Sequence, residues 1–217
     1  VIESEGPEVS IGQVCSISSE RHGETIEAQV VGFRENVVLL MALESVHLIH
    51  PGCKVSSKKN SNAVPYGPSL LGRIIDGMGR PIDGKGPLLA PQREGFYCEP
   101  PNPLSRSLIN APFSSGIKAI DSFIPLGVGQ RVGIFSGSGV GKSILLGMIG
   151  RGSEAQVNVI SLVGERGREL REFVENDLGP EGMAKSVIVV STSDQPAPMR
   201  IRASILATAI AEGFRNE

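Results

Sequence analysis

The chain has 217 residues, 21 Lys+Arg against 23 Asp+Glu for a net charge of −2, 40% apolar residues, 4% aromatics and no tryptophan. That length is enough to bury a sizeable core in one or two domains, and 20% charged residues is not the composition of a disordered chain. There is no basic block beyond Lys58-Lys59, which argues against a nucleic-acid-coating protein, and no apolar run approaches the ~18–20 residues that a membrane-spanning helix needs.

Residues 1–60 carry short β-like runs separated by turn residues. Val9-Ser10-Ile11 and Val14-Cys15-Ser16-Ile17 are two candidate strands. Thr25 to Val31 alternates with period two and sets Ile26, Ala28 and Val30 on one face. Gly32 to Asn36 reads as a turn and Asn36 to Met41 as a more buried strand, so a small sandwich or barrel is expected. The three cysteines (Cys15, Cys53, Cys98) are far apart and without C-x-x-C pairing, so they read as buried small hydrophobes in a reducing cytoplasm rather than as a disulfide or zinc framework. The histidines His22, His47 and His50 have no partners at metal or triad spacing, and His47 to His50 reads as a strand-end turn before Pro51-Gly52.

Residues 61–115 hold nine of the fifteen prolines, including Pro100-Pro101-Asn102-Pro103. Proline lacks an N–H donor and fixes φ, so this stretch is expected to be a connector with short strand pieces such as Leu70 to Ile75, and Gly77 to Gly84 to be a run of turns. Beyond it the rhythm changes. Arg131 to Phe135, Asn158 to Val163 and Val187 to Val190 are apolar strands alternating with helix-like segments, the last of them 199–215, which indicates a parallel α/β sheet. The chain starts inside a strand-like run and its last α/β unit is open, so a piece of a longer protein is expected.

Between the first of those strands and its helix lies Ser136-Gly137-Ser138-Gly139-Val140-Gly141-Lys142-Ser143, which fits G-x-x-x-x-G-K-[ST] except that Ser136 replaces the first glycine. Glycines allow positive φ and turn successive N–H groups inward around an anion, and the following helix adds its N-terminal dipole. Lys142 is then placed for the β- and γ-phosphates and the Ser143 hydroxyl for Mg²⁺. The second strand ends in Gly164-Glu165-Arg166-Gly167-Arg168-Glu169. Ligands of open α/β sheets sit off the carboxyl ends of the strands, so Glu165 is a candidate to orient or deprotonate a water. From spacing alone, a solvated charged helix start with Arg168/Glu172 and Arg171/Glu175 pairs explains the same residues.

These phrases, together with Gly116 to Asp121, Gly129 to Phe135, Gly137 to Met148, Leu71 to Asp76 with Gly84 to Pro87, and Thr192 to Arg200, closely resemble the type III protein-export ATPases over essentially the whole chain. That family comprises the flagellar export ATPase and the injectisome ATPase and is related to the catalytic subunit of rotary ATP synthases. The resemblance implies an N-terminal β-barrel domain over 1–62, a connector over 63–115 and a RecA-like nucleotide domain over 116–217 that stops before the Walker B strand. It implies ATP and Mg as cofactors and a binding loop of Gly137, Ser138, Gly139, Val140, Gly141, Lys142, Ser143 and Ile144, with Ser143 on the metal. Glu165 would be the catalytic carboxylate, assisted by Lys142 and by Arg166 near the γ-phosphate. The family usually carries Ala or Gly where Ser136 stands.

The resemblance further implies a homo-hexamer in the full-length protein, with stator/regulator and central-stalk proteins and chaperone–substrate complexes as partners. The location implied is the cytoplasmic face of the inner membrane, reached only through partners, with no nucleic acid involved. The family's Mg-supporting aspartate and arginine finger lie beyond Glu217 in that layout, so the 217 residues alone are expected not to turn over ATP at a useful rate. A rotary proton- or sodium-coupled ATPase catalytic subunit and a non-hydrolysing nucleotide-binding scaffold stay open as alternatives. Gly167, where rotary catalytic subunits typically carry Thr, and Lys142-Ser143 in place of Lys-Thr favour the export branch, whereas non-catalytic rotary subunits carry Gln where Glu165 stands. An RNA translocase of the terminator type should show an aromatic, basic barrel, and residues 1–60 offer one Phe and no Tyr.

Overall fold

In the computed structural model, which describes residues 1–19, 24–47, 49–59, 61–93, 95–137 and 139–216, the chain opens with five antiparallel strands. They are β1 (Ile2–Ser4), β2 (Val14–Ser18), β3 (Thr25–Arg34), β4 (Val37–Ala42) and β5 (Lys54–Ser57), in the spatial order β1-β4-β3-β2-β5. Ile26, Ala28 and Val30 are buried, as their alternation predicts. Ala28 and Val30 share one core with Cys15, Ile17, Val38 and Leu40, and Ile2 of β1 and Val55 of β5 pack on it too. Both edge strands thus touch the same core, which is how a barrel closes on itself. Val9 to Ile11 is not a strand: Ile11 is exposed, and Gly12, at φ 84°, turns the chain so that its N–H meets Val30 O at 2.9 Å.

Next come β6 (Val64–Pro65), β7 (Arg73–Asp76), β8 (Gln92–Arg93), β9 (Pro112–Phe113), α1 (Lys118–Phe123) and β10 (Leu126–Gly127). β6 pairs with β8 and β9 with β10, both antiparallel. The remaining elements are α2 (Lys142–Gly152), β11 (Asn158–Val163), α3 (Gly167–Glu172), a π-helical stretch Phe173–Leu178, α4 (Gly179–Ala184), β12 (Ser186–Ser191) and α5 (Ala197–Asn216). β11, β12 and β7 form a parallel sheet with β12 in the middle. The strand piece within the proline-rich segment therefore belongs to the sheet. Its polar first residue is satisfied there, because the Arg73 guanidinium donates to both Asp83 carboxylate oxygens at 2.7 and 3.1 Å.

All six residues of β12 are buried. Val187 and Val189 face Ala203, Leu206 and Ile210 of α5, while Ile188 and Val190 face Phe173 and Leu178 on the opposite side. A strand apolar on both faces is thus sandwiched between two helical layers. Arg131 to Phe135, with the same apolar pattern, is not a strand among the described residues: Val132 is 53% exposed and Phe135 95%. Apolar composition favours burial, but a strand also needs a neighbour for its N–H and C=O groups, and among the described residues no strand pairs with this segment. The cysteines are free, Cys15 buried, Cys53 half-buried and Cys98 exposed, so the expectation of burial fails at Cys98 in the extended stretch after β8.

The barrel and the sheet meet at a packed junction. Val14 and Leu43 join Met199 of α5, Arg80 bridges Glu44 and Asp76 at 2.7 Å each, and Arg202 donates to Ser61 O and, at 3.3 Å, to Asn62 Oδ1. The Arg202 guanidinium also lies 4.1 Å from the centre of the Phe96 ring.

Candidate active site

The loop before α2 takes the conformation its glycines permit. Gly139 has φ 77° and Gly141, the N-cap of α2, φ 95° and ψ 16°. No side chain caps the first turn of α2, so its N–H groups are free to face an anion, with Lys142 and Ser143 as the first two residues of the helix. At the loop entrance the Ser136 hydroxyl donates to Gly137 O at 3.2 Å, so this serine fits without displacing the loop. Val140 is 71% exposed and Ile144 55%, while Ser138 lies outside the described residues.

Glu165 arrives from the sheet. Gly164, at φ 78°, turns the chain out of β11, and two backbone bonds from the end of β12 hold the turn on either side of Glu165: Gly164 N–H to Ser191 O at 2.8 Å and Ser193 N–H to Glu165 O at 3.0 Å. Lys142, Ser143 and Glu165 then line one cleft of about 220 Å³, joined by Glu169 and floored by Leu162 and Phe173. A strand end and a helix start thus bring a cation, a hydroxyl and two carboxylates together over an apolar floor.

Arg166 is not part of that lining. It precedes α3 and pairs with Glu169 at 3.7 Å, with both side chains largely exposed, a geometry that contributes little stability. Of the charged pairs that helical spacing suggested, Arg171 and Glu175 meet at 2.7 Å on the exposed face. The structure also adds residues that sequence reasoning did not place in the site. Glu169 had been visible as part of a charged helix start, and its four-residue distance from Glu165 was the available signal. The π-helical stretch, which brings Phe173 under the cleft, has ordinary helical composition and left no signal.

The helix bearing Lys142 and Ser143 is seated on that stretch. A Cβ built on Gly147 would lie 2.5 Å from Asp177 O, and the Arg151 guanidinium donates to the carbonyls of Asn176 and Asp177. Only a glycine allows this approach, which fixes the height of α2 over the helix that follows Glu165.

The profile of the ATP synthase alpha/beta family, beta-barrel domain, matches residues 1–58, and that of the same family's nucleotide-binding domain matches residues 116–217. The chain belongs to the ATP synthase alpha/beta family. Within this family it is 50% identical, over its whole length, to the flagellum-specific ATP synthase of Bacillus subtilis and covers 50% of that protein. It is 43% identical to the type 3 secretion system ATPase of Xanthomonas euvesicatoria, with 97% of this chain and 48% of the relative aligned. Among solved structures, the assembled ATPase EscN of the enteropathogenic E. coli type III secretion system superposes with a TM-score of 0.86 at 42% identity, covering 98% of this chain and 51% of EscN. EscN in complex with its central stalk EscO gives a TM-score of 0.87. The chain spans about half the length of the curated relatives it matches.

Proposed function

We propose that the whole protein is the ATPase of a bacterial type III protein-export apparatus, flagellar or injectisome, and that it hydrolyses Mg-ATP in a hexameric ring to release and unfold export substrates. The observation that carries this reading is the convergence of Lys142, Ser143 and Glu165 on one cleft at the carboxyl end of the parallel sheet. The donor set suits a nucleotide triphosphate: uncapped N–H groups at the start of α2, glycines with positive φ and a lysine at the first helical position. Lys142 binds the β- and γ-phosphate oxygens as a point charge, and the loop of Gly137 to Gly141 wraps the phosphates with its backbone. The Ser143 hydroxyl, in the first turn of α2, would be this chain's ligand to Mg²⁺, which would supply neutralisation of charge on the phosphate oxygens. The Glu165 carboxylate orients a water and accepts its proton as the water oxygen attacks the γ-phosphorus and the bond from that phosphorus to the β-phosphate oxygen breaks, releasing ADP and inorganic phosphate, and Arg166 swings from its exposed position toward the γ-phosphate.

The ring, a central-stalk protein, a regulator and chaperone–substrate complexes are the partners this reading assigns, by likeness to EscN assembled and with its stalk EscO. The location it assigns is the cytoplasmic face of the inner membrane. No helix among the described residues is long and apolar enough to cross a membrane. The test is Mg-ATP hydrolysis by the whole protein against its own concentration, beside Glu165→Gln and Lys142→Ala. Activity rising cooperatively with concentration, abolished in Glu165→Gln while ATP still binds, is expected. Tight ATP binding with no hydrolysis by the wild type would overturn the reading in favour of a nucleotide-dependent scaffold.

A further inference from the structure

The backbone of Glu165 is anchored by a neighbouring strand rather than by its own. Gly164 N–H donates to Ser191 O and Ser193 N–H donates to Glu165 O, so the segment 191–193 grips the catalytic turn from both sides. What holds that segment is a side-chain bond. The fully buried Ser191 hydroxyl donates to Gln195 Oε1 at 2.8 Å, and Gln195 N–H closes a turn on Thr192 O at 3.1 Å. Ser191 and Gln195 therefore clamp the two ends of the short loop from which Ser193 reaches Glu165. Asp194, within the same loop, is held below the usual carboxylate range by the Thr192 hydroxyl.

We propose that Gln195 and Ser191 are a positioning pair for Glu165: the amide oxygen fixes the hydroxyl, the pair fixes the loop, and the loop fixes the carboxylate over the cleft. Neither residue lines the cleft. The inference rests on the assignment of Glu165 to the catalytic step. It requires that loss of the acceptor oxygen reduce turnover without weakening nucleotide binding, because the phosphate loop precedes α2 and Lys142 opens it, whereas the clamp follows β12. A misplacement of the order of an ångström is enough to lower a rate about 100-fold.

The experiment measures steady-state Mg-ATP hydrolysis and ATP affinity for the whole protein carrying Ser191→Ala, Gln195→Leu, both together, Gln195→Glu or Glu165→Gln. Ser191→Ala and Gln195→Leu are each expected to lower kcat roughly 10- to 100-fold with KM for ATP and ATP affinity nearly unchanged, and with a melting temperature lower by no more than about 5 °C, the cost of one lost buried bond. The double variant should be no worse than the poorer single, as for two ends of one bond. Gln195→Glu keeps an acceptor oxygen for the Ser191 hydroxyl and should restore most of kcat. Wild-type kcat in both single variants overturns the proposal, and so does a fall in kcat matched by equal losses in ATP affinity and melting temperature. Hydrolysis by Glu165→Gln at the wild-type rate overturns the underlying assignment as well, whereas an inactive Glu165→Gln beside a fully active Gln195→Leu overturns the clamp alone.

Discussion

The seat of α2 on the π-helical stretch makes Gly147→Ala a sharp test of how the site is held. A methyl group at Gly147 would stand 2.5 Å from Asp177 O and 2.6 Å from its carbonyl carbon. Both are backbone atoms, so no rotamer change relieves the clash. Moving from 2.5 Å to the 3.4 Å of an ordinary contact requires the two helices to part by about 0.9 Å. Alanine gains about 1 kcal/mol of helix propensity over glycine, and overpacking of this kind costs about 1–3 kcal/mol, so the variant folds with a net loss below about 2 kcal/mol. The site is more sensitive, because α2 begins with Lys142 and Ser143, and a displacement near 1 Å costs on the order of 100-fold in rate. The expected result for the whole protein is a kcat reduced roughly 30- to 100-fold with a melting temperature within about 5 °C of wild type. Gly150→Ala is the control: its methyl group would meet Leu178 Cδ1 at 2.8 Å, the end of a flexible side chain, and kcat should stay within about threefold. Wild-type kcat in Gly147→Ala, or equal damage from Gly150→Ala, would refute the argument that backbone contact sets the height of α2.

Three further outcomes are expected. Asp83→Asn should lower the melting temperature by about 5 °C at neutral pH, since Asp83 accepts from Arg73 and from the backbone of Ile74 and Lys85. The Arg73 guanidinium holds the Asp83 carboxyl well below the usual carboxylate range, so its contribution is fully present above the ordinary carboxylate pKa and is lost as pH falls below it; the gap between wild type and variant should close in acid melts, and a gap that persists there refutes the ion-pair account. Arg202→Met leaves Ser61 O and Asn62 without their donor in a buried junction, with an expected loss of about 3 kcal/mol in denaturant unfolding; a loss below about 1 kcal/mol would show the junction to be dispensable. In hydrogen exchange of the 217-residue chain, amides of residues 131–135 should exchange orders of magnitude faster than those of Val187 to Val190, and equal protection would contradict the unpaired state of that segment.

The contrast between residues 131–135 and β12 shows how far pattern reading reaches. Both are runs of apolar residues between turn signals, and both were expected to be strands of one sheet. β12 is one because helices cover both of its faces and β11 and β7 flank it; residues 131–135 have the same composition without a flanking strand. Composition reports the demand for burial, whereas the supply of hydrogen-bonding neighbours is a property of topology. β7 shows the converse. Leu70 to Ile75 reads as a short strand piece within a connector, but nothing in the sequence assigns it to the parallel sheet, where the register Val187↔Arg73 to Val190↔Asp76 places β7 at full length against the central strand. Its charges are tolerated because Asp83, ten residues on from Arg73, and Arg80, four on from Asp76, meet them, pairings that no period-two or period-3.6 pattern encodes.

At the site, the legible residues are those whose chemistry depends on local backbone shape. The glycine loop and Lys142-Ser143 can be read because positive φ, an uncapped helix start and a short spacing are all sequence-local. Glu165 is ambiguous in the sequence for the opposite reason: whether a carboxylate at a charged helix start is solvated or poised depends on what shares its cleft, and Lys142 and Ser143 line the same one. The same geometry bears on the ring. A cleft of about 220 Å³ is smaller than the roughly 300–1,000 Å³ that encloses a compact ligand, so these walls cover only part of a nucleotide. If a neighbouring copy supplies the opposite wall, Glu165 faces a complete pocket only in the assembled state. Specific activity should then rise with protein concentration and reach a plateau where assembly saturates; a specific activity independent of concentration, in a protein shown by sedimentation to be monomeric, would mean that one chain closes the pocket unaided and that the ring has no part in the chemistry.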